Sequence, residues 1–250
     1  MEVKRRKNNK LNKRRRLLTG AAIVLLAVAL AWGAPRLYKA VKQAGYRPLT
    51  QAEIAAAFER GMAAEQAAMN ADANADANAS APADALDGPR ASVANAALSI
   101  VGKVRYFWGG KSSAIGEDPR WGEITEVTGA GSESTGTLKP FGLDCSGYVS
   151  WCFIQLGYSF AEMEELVGNG TWNQWDRTED IPWGELRVGD FAFMNRYPTN
   201  KGNHIGICVG FTEKGAPVFA HCSSGFDDVV VTPAGDVFRY ARRPNLFFEG

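Results

Sequence analysis

Histidine is scarce in this chain, which has only two among 250 residues, His204 and His221. Imidazole changes its charge near neutral pH, so any acid–base chemistry of that kind falls on these two positions. Both lie in strand-like sequence, where His204 shares one face with Gly206, whereas Ile205 and Ile207 share the other. We therefore expect His204 to face a groove beside small residues, where a backbone or a ligand can approach.

Cysteine is limited to four positions, Cys145, Cys152, Cys208 and Cys222. Cys145 and Cys152 would lie about 10 Å apart along a helix, which is too far for a disulfide bond. Cys208 and Cys222 fall on successive predicted strands and could pair, although burial as small apolar side chains is favoured. The spacing of the cysteines and histidines fits no common zinc pattern, so no metal site is predicted.

Long apolar runs are limited to one, the uncharged stretch Leu17–Ala34. As a helix it would reach about 27 Å, close to the hydrocarbon thickness of a bilayer. Residues 1–16 carry nine Lys or Arg against one Glu, although the whole chain has a formal charge of +1. This asymmetry predicts a transmembrane helix over residues 17–34, with residues 1–16 as a cytoplasmic tail and the rest of the chain outside.

The same residues leave alternatives to this anchor. A cleaved signal peptide, with Ala29-Leu30-Ala31 as its cleavage site, would give a secreted protein. The long basic segment and the length of the apolar run favour the uncleaved anchor. No cysteine lies near the end of the run, which argues against a lipoprotein. Nucleic-acid binding is disfavoured because the basic residues directly precede an apolar segment.

Residues 50–90 are predicted to connect the apolar segment to a folded domain. Thr50-Gln51-Ala52-Glu53 has the form of a capping box, and apolar residues follow at a spacing of four, which predicts a helix over residues 50–69. We interpret it as a membrane-proximal stalk with Gly61 as its weak point. Residues 70–90 repeat Ala, Asp and Asn, which predicts a flexible linker that lets a tethered domain search its surroundings.

The strongest local signal is the run from Gly142 to Gly147, which contains Asp144 and Cys145. Asp144 has the side chain of a helix N-cap, and apolar residues recur after it at helical spacing. Cys145 is therefore predicted in the first helical turn, where the helix dipole favours an anion, which for a cysteine is the nucleophilic thiolate. A free cysteine is more often a buried structural thiol, so this position alone does not assign a role.

Residues 91–250 have the pattern of a folded domain in which helices precede strands. Strands are predicted over residues 190–195, 203–211, 217–222, 229–232 and 237–240. Helices are predicted near Ser92 to Gly102, after Asp144, and near Ala161 to Val167. This order predicts an α+β fold with an antiparallel sheet.

Five motifs of this domain resemble those of the NlpC-type cysteine peptidases, which are papain-like endopeptidases of bacterial cell walls. The motifs are Tyr106-Phe107-Trp108-Gly109-Gly110, Asp144-Cys145-Ser146-Gly147, Leu186-Arg187-Val188-Gly189-Asp190, Asn203-His204-Ile205-Gly206-Ile207 and Ala220-His221-Cys222-Ser223-Ser224-Gly225. The resemblance runs from about Ser92 to the end of the chain. It implies a papain-like NlpC-type domain, with N-terminal helices packed on an antiparallel sheet.

The resemblance also implies catalytic roles for three side chains. Cys145 would be the nucleophile and His204 its base. His221 stands where the family has a polar residue that orients the catalytic imidazole, so it would hydrogen-bond His204 and fix its tautomer. The backbone N–H of Cys145 is the natural candidate for one oxyanion donor, because it lies at a helix start.

Substrate-binding positions follow from the same resemblance. Tyr106 matches a tyrosine that lines the active site of the family. Asp144 and Ser146 match positions that contact the substrate's amino group in some members, although the capping role competes for Asp144. The segment from Lys111 to Leu143, 33 residues long, exceeds the usual spacer between two of the motifs. We interpret it as a lid or specificity wall.

The function implied by the resemblance is hydrolysis of cell-wall peptidoglycan. The substrate would be the stem peptide, cleaved between γ-D-glutamate and the diamino acid, and the reaction would need no cofactor. An amidase or acyltransferase on the same scaffold is one alternative, and a non-catalytic wall-binding module is another. The expected partners are stem peptides and, through the N-terminal helix, a membrane; no nucleic acid is expected.

Overall fold

A computed structural model describes residues 46–75, 88–199 and 201–248, with the side chains of residues 71–75 left undescribed. The predicted cytoplasmic tail, the predicted transmembrane helix over residues 17–34 and most of the predicted linker lie outside these ranges. Within the described ranges, no helix has both the length and the apolar character that crossing a membrane requires. The predicted anchor therefore stays a prediction.

Residues Pro48–Gly250 form one compact unit. Its helices are α1 (Gln51–Ala75), α2 (Pro89–Ser99), α3 (Cys145–Ile154), α4 (Phe160–Leu166) and α5 (Thr171–Asp176). Its strands are β1 (Ile124–Glu126), β2 (Leu138–Pro140), β3 (Thr178–Asp180), β4 (Phe191–Phe193), β5 (Ile205–Phe211), β6 (Pro217–Ser223), β7 (Asp228–Pro233) and β8 (Tyr240–Pro244). Short 3₁₀ turns cover Trp183–Glu185 and Asn245–Phe247.

The core of the unit is a six-stranded sheet in the order β3-β8-β4-β5-β6-β7, in which every pair of neighbouring strands is antiparallel. Ile205, Ile207 and Val209 of β5 are buried in one cluster with apolar residues of α2 and α3. The predicted α+β order, with helices packed on an antiparallel sheet, is confirmed. The last strand is displaced, because the prediction placed it over residues 237–240 and β8 begins at Tyr240.

The opposite face of β5 is also covered, which corrects the expectation of open space along the histidine side. A Cβ atom built on Gly206 would lie 2.7 Å from Cζ of Phe238. Phe238, Cys208 and Phe219 belong to a second buried cluster on this face. Gly206 therefore makes room for an aromatic ring of the protein itself, and the ring fills that side of the strand.

Helix α1 begins as predicted but does not act as a stalk. The capping box is present, since the backbone N–H of Thr50 donates to Glu53 at 2.8 Å and the N–H of Glu53 donates to the Thr50 hydroxyl at 3.3 Å. The helix extends to Ala75, beyond the predicted end at residue 69. Its residues Ile54, Ala57 and Met62 are buried in the main core. The stalk interpretation is wrong, because the residues spaced by four form a face that packs on the domain.

Two glycines allow α1 to approach the sheet closely. A Cβ atom on Gly61 would lie 2.7 Å from the Val188 side chain and 2.8 Å from the Cα atom of Gly210. A Cβ atom on Gly210 would lie 2.1 Å from the carbonyl oxygen of Ala57. Gly61 is therefore a packing position between helix and strand, where a larger residue does not fit. Its role is this close contact, and the expectation that it is a weak point of the helix is corrected.

A buried charge cluster holds the end of α1 to the domain. The guanidinium of Arg187 donates to both carboxylate oxygens of Glu65, at 2.9 and 2.5 Å. Arg90 lies 3.7 Å from Glu65 and donates to Asp190 at 2.8 Å. Arg243 donates to Asp190 at 3.0 and 2.9 Å. Because Glu65 is only 5% exposed and Asp190 is fully buried, each carboxylate depends on these guanidinium partners.

The docking of α1 changes the domain organisation predicted from the sequence. The predicted boundary at residue 91 is wrong, because the compact unit begins at Pro48. The predicted linker connects α1 and α2, which both belong to this unit. Residues 76–87 of that segment lie outside the described ranges, so its flexibility stays a prediction.

Three short elements were not predicted from the sequence. These are the β1–β2 hairpin, strand β3 and helix α5. The hairpin lies inside the long segment from Lys111 to Leu143, which the structure anchors through Trp121 against Trp151, with ring centroids 5.6 Å apart. Strands β1, β2 and β3 have three residues each and α5 has six, so each is too short for a periodic pattern to reveal.

Candidate active site

Cys145 is the first residue of α3, as predicted. The side chain of Asp144 accepts a hydrogen bond from the backbone N–H of Gly147 at 2.6 Å, so Asp144 is the N-cap. Every residue of α3 is buried, which makes it the central helix of the unit. Cys145 is 7% exposed, whereas the other three cysteines are fully buried. All four are free thiols.

The chain just before β5 lies beside Cys145. The sulfur of Cys145 lies 4.0 Å from the carbonyl oxygen of Asn203, the residue before His204. The side-chain amide of Asn203 is fixed by Asn195, whose backbone N–H and carbonyl it contacts at 2.9 Å each. Asn203 Oδ1 also accepts the backbone N–H of His204 at 2.9 Å. Asn203 thus holds the strand entry in place beside the thiol.

The two histidines contact each other, as the resemblance implied. Nε2 of His204 lies 2.9 Å from Nδ1 of His221. This bond uses Nε2 of His204 and does not involve Nδ1. His221 is fully buried and lies on β6, next to the strand that His204 precedes.

Thr232 extends this chain of hydrogen bonds and was not predicted. Its hydroxyl oxygen lies 3.0 Å from Nε2 of His221, and it is fully buried. If Nδ1 of His204 accepts the thiol proton, Nε2–H of His204 donates to His221 and Nε2–H of His221 donates to Thr232. Val230 pairs directly with His221, and Thr232 lies two residues further along β7 on the same face. The strand pairing, which the sequence does not specify, was needed to find it.

Phe238 packs against both imidazole rings. Its ring stacks on His204 with centroids 5.5 Å apart and an angle of 20°, and it meets His221 edge-on at 5.2 Å. Burial lowers the pKa of His204 to about 4 and lowers the pKa of His221 well below its ordinary value. Both rings are therefore neutral at neutral pH, which suits His204 to accept a proton.

The resting thiol differs from the thiolate expected at a helix start. Burial raises the pKa of Cys145 to about 12, and the nearby Asp144 carboxylate adds to the rise while Lys111 opposes it. Desolvation of the sulfur outweighs the helix dipole here. The sulfur of Cys145 is therefore a neutral thiol at neutral pH.

The stability of the fold is expected to decrease as the pH is lowered from 7 to 5, because of the imidazoles of His204 and His221. The pKa of His204 is about 4 in the folded protein, whereas that of an ordinary histidine is 6.5. The unfolded chain thus binds more protons in this interval, so the stability present above pH 6.5 is lost as the pH falls toward 4. We expect a lower melting temperature at pH 5 than at pH 7, measured by circular dichroism.

His204 and His221 are the only histidines of the chain, so a variant that lacks one of them is a direct control for this pH dependence. A His221→Gln variant removes one buried imidazole, so its melting temperature should change less between pH 7 and pH 5. Carboxyl groups ordinarily titrate near pH 4 and contribute little in this interval. Equal melting temperatures at the two pH values would contradict the burial of two neutral imidazoles.

The predicted substrate-binding residues lie around the thiol but are already engaged. Ser146 and Lys111 both donate to Oδ1 of Asp144 at 2.8 Å, and Nζ of Lys111 also lies 2.5 Å from the Ser146 hydroxyl. Tyr106 pairs with Leu143 directly before this group. Burial raises the pKa of Tyr106, and Cys145 adds to the rise, which places the phenol near the sulfur. The sequence prediction did not include Lys111.

A metal site needs several His, Cys, Asp or Glu side chains that converge on one ion. Among residues 46–75, 88–199 and 201–248, no group of three or more His, Cys, Asp or Glu side chains is arranged to do so. The groups that converge at the site are therefore a thiol, two imidazoles, a phenol and one ion pair between Lys111 and Asp144.

The sequence of this chain is similar to a family model and to a curated relative. The model of the NlpC/P60 family matches residues 102–225. The peptidoglycan DL-endopeptidase CwlO of Bacillus licheniformis is 29% identical over 116 residues. That match covers 45% of this chain and 19% of the relative, so the chain spans a small part of that protein's length.

Two solved structures from Mycobacterium tuberculosis also match. The peptidoglycan hydrolase RipB shares 20% identity with a TM-score of 0.40, over 75% of this chain and 83% of its own. RipD, described as a non-catalytic NlpC/p60 domain protein adapted to peptidoglycan binding, shares 17% identity with a TM-score of 0.41. This second match covers 62% of this chain and 95% of RipD. Neither match bears on the activity of this chain.

Proposed function

Because the chain belongs to the NlpC/P60 family, we propose that it is a peptidoglycan hydrolase that cleaves stem peptides by cysteine catalysis. The observation that carries the proposal is the position of Cys145, at the start of α3, beside the backbone of Asn203, which directly precedes His204, whose ring is hydrogen-bonded to His221. A thiol, an acceptor imidazole and a group that orients the imidazole are the parts that nucleophilic catalysis by cysteine requires.

In the proposed reaction, the sulfur of Cys145 attacks the carbonyl carbon of the scissile amide. The thiol proton moves to Nδ1 of His204, and His221 stabilises the resulting imidazolium through the bond to Nε2. The imidazolium gives its proton to the leaving amine as the C–N bond breaks. Water then attacks the thioester, which releases a carboxylate and restores the thiol. The backbone N–H of Cys145 is the proposed oxyanion donor, because helix-start N–H groups lack intrahelical acceptors.

The proposed bond lies between γ-D-glutamate and the diamino acid of the stem peptide. Support comes from the resemblance to the NlpC-type peptidases and from the curated relative, which is named a DL-endopeptidase. The distances around Cys145 do not distinguish one stem-peptide amide from another, so the bond must be identified from the products.

Membrane attachment through residues 17–34 is part of the proposal. The apolar run and the nine basic residues before it support an uncleaved helix, with the catalytic unit outside the cytoplasm. Secretion after cleavage near Ala29-Leu30-Ala31 is the alternative. Labelling the intact chain with a membrane-impermeant reagent at residues before and after the run separates the two.

Digestion of purified peptidoglycan tests the function. The protein should comprise residues 48–250, because α1 belongs to the compact unit. We expect mass spectrometry to find soluble stem-peptide fragments whose masses show cleavage after γ-D-glutamate. A matched sample treated with iodoacetamide should release none, and peptide mapping should place the alkyl group on Cys145, the one cysteine of the four that is exposed at all.

Two other results would contradict the proposal. If no fragment is released although Cys145 is alkylated readily, the nucleophile acts on a different substrate, as in an amidase or acyltransferase. If the protein binds peptidoglycan equally before and after alkylation and releases nothing, it is a wall-binding module.

A further inference from the structure

Lys111 is a cation at the edge of the active site, and the proposed reaction does not use it. It follows the Gly109-Gly110 turn at the start of the long segment before α3. Its ammonium lies 2.8 Å from Oδ1 of Asp144 and 2.5 Å from the Ser146 hydroxyl, and its side chain is 27% exposed. The two residues that it contacts flank Cys145 in the chain.

The charges of Asp144 and Lys111 affect which substrates can bind beside Cys145. Among the described residues, Asp144 and Lys111 are the two charged side chains that act on the Cys145 thiol. Without Lys111, the thiol would be flanked by an uncompensated carboxylate, which would attract a substrate ammonium. With Lys111 in place, the carboxylate is already paired and a second cation would be repelled.

We propose that Lys111 is a specificity-determining residue that excludes substrates with a free amino group near the scissile bond and favours stem peptides whose amino end is acylated. Such acylated ends occur where the stem peptide is still joined to the wall sugar. This inference rests on the proposed function. Lys111 also retains one N–H without an acceptor among the described residues, and this N–H can donate to a carbonyl or carboxylate oxygen of the substrate.

The packing around Lys111 supports a fixed position for the ammonium. A Cβ atom on Gly147 would lie 3.0 Å from Cδ of Lys111 and 2.1 Å from the carbonyl oxygen of Gly110. The glycine therefore allows the segment that carries Lys111 to lie directly against the first turn of α3. Because this close approach orients the side chain toward Asp144, the charge is held at the site even though part of the stem is exposed.

One test compares two stem peptides that differ only at the amino end, one free and one N-acetylated. We expect wild type to cleave the acetylated peptide with a kcat/KM at least about fivefold higher, as a charge contact across a partly solvated site implies. In Lys111→Met, which removes the charge and keeps the stem length, the preference should disappear or reverse. Lys103→Met removes a lysine that is 58% exposed and should keep the wild-type preference. Equal cleavage of both peptides by wild type would overturn the proposal.

A second test does not depend on peptidoglycan. Methanethiosulfonate reagents form a disulfide with a thiol and release methanesulfinate, and they are available with a sulfonate or a trimethylammonium group. The measured quantity is the rate of Cys145 modification by the anionic reagent divided by the rate with the cationic reagent. We expect this ratio to be higher in wild type than in Lys111→Met. Lys103→Met should match wild type, and Cys145→Ala gives the background from other thiols.

The two tests together separate this inference from the proposed function. If neither peptide is cleaved but the reagent preference changes in Lys111→Met, the charge role of Lys111 stands and the proposed substrate is wrong. If the peptides are cleaved but neither the peptide preference nor the reagent preference changes in Lys111→Met, the proposed function stands and Lys111 has only a structural role.

Discussion

Replacement of Cys145 by alanine is expected to abolish the release of wall fragments, a loss of at least about a thousandfold in kcat. The substitution removes the sulfur that would form the acyl-enzyme, and neither His204 nor His221 can replace it as the nucleophile. The fold should persist, because the helix cap is made by Asp144 and Gly147 and does not involve the thiol. Digestion assays and thermal melts on the same preparation measure the two effects.

Cys152 provides the matched control on the same helix. It is fully buried and lies away from the imidazole pair. Cys152→Ala should lower the free energy of unfolding by about 1 kcal/mol, as the loss of a buried atom does, and should retain activity. If Cys145→Ala releases fragments at the wild-type rate, the thiol is not the nucleophile and the proposed mechanism is wrong.

The sequence was sufficient to predict the parts of the site that depend on local pattern. The cap by Asp144 and the position of Cys145 follow from neighbouring residues and from helical spacing, and both are confirmed. The contact between His204 and His221 was implied by resemblance to a family. Spacing alone would not have produced it, because seventeen residues separate the two rings along the chain.

The remaining features of the site depend on tertiary packing. Thr232 reaches His221 only because β7 pairs with β6 in a particular register. Phe238 reaches His204 from a turn region before β8, across the space left by Gly206. The neutral thiol also depends on packing, because a helix start favours a thiolate unless burial of the sulfur reverses the preference. No local pattern carries this information.

The prediction for α1 failed for a related physical reason. Its capping box and its apolar residues at a spacing of four identified a helix, but they did not identify its partner. The glycine at Gly61 lowered the expected helix stability, whereas in the structure it lies against Gly210 and permits close packing. Glu65, which a sequence pattern assigns to solvent, is 5% exposed because Arg187 and Arg90 surround it.

Replacement of Glu65 by alanine is expected to lower the free energy of unfolding by about 3 kcal/mol, because it leaves the guanidinium of Arg187 without its carboxylate partner, whereas Arg90 keeps its bond to Asp190. Arg187 would lose two charge-assisted hydrogen bonds and Arg90 a nearby counter-charge. Urea denaturation of residues 48–250 measures this change. Hydrogen exchange should increase mainly in α1, since Glu65 holds that helix to the rest of the unit.

Glu59→Ala is the matched control, because Glu59 lies on the same helix and is exposed. Its effect should stay within about 0.5 kcal/mol, as is usual for surface positions. If Glu65→Ala is no less stable than Glu59→Ala, the apolar contacts of Ile54, Ala57 and Met62 hold the helix without help from the charge cluster. If the expected loss is found, the compact unit requires α1, and variants that begin near residue 91 will lack part of their core.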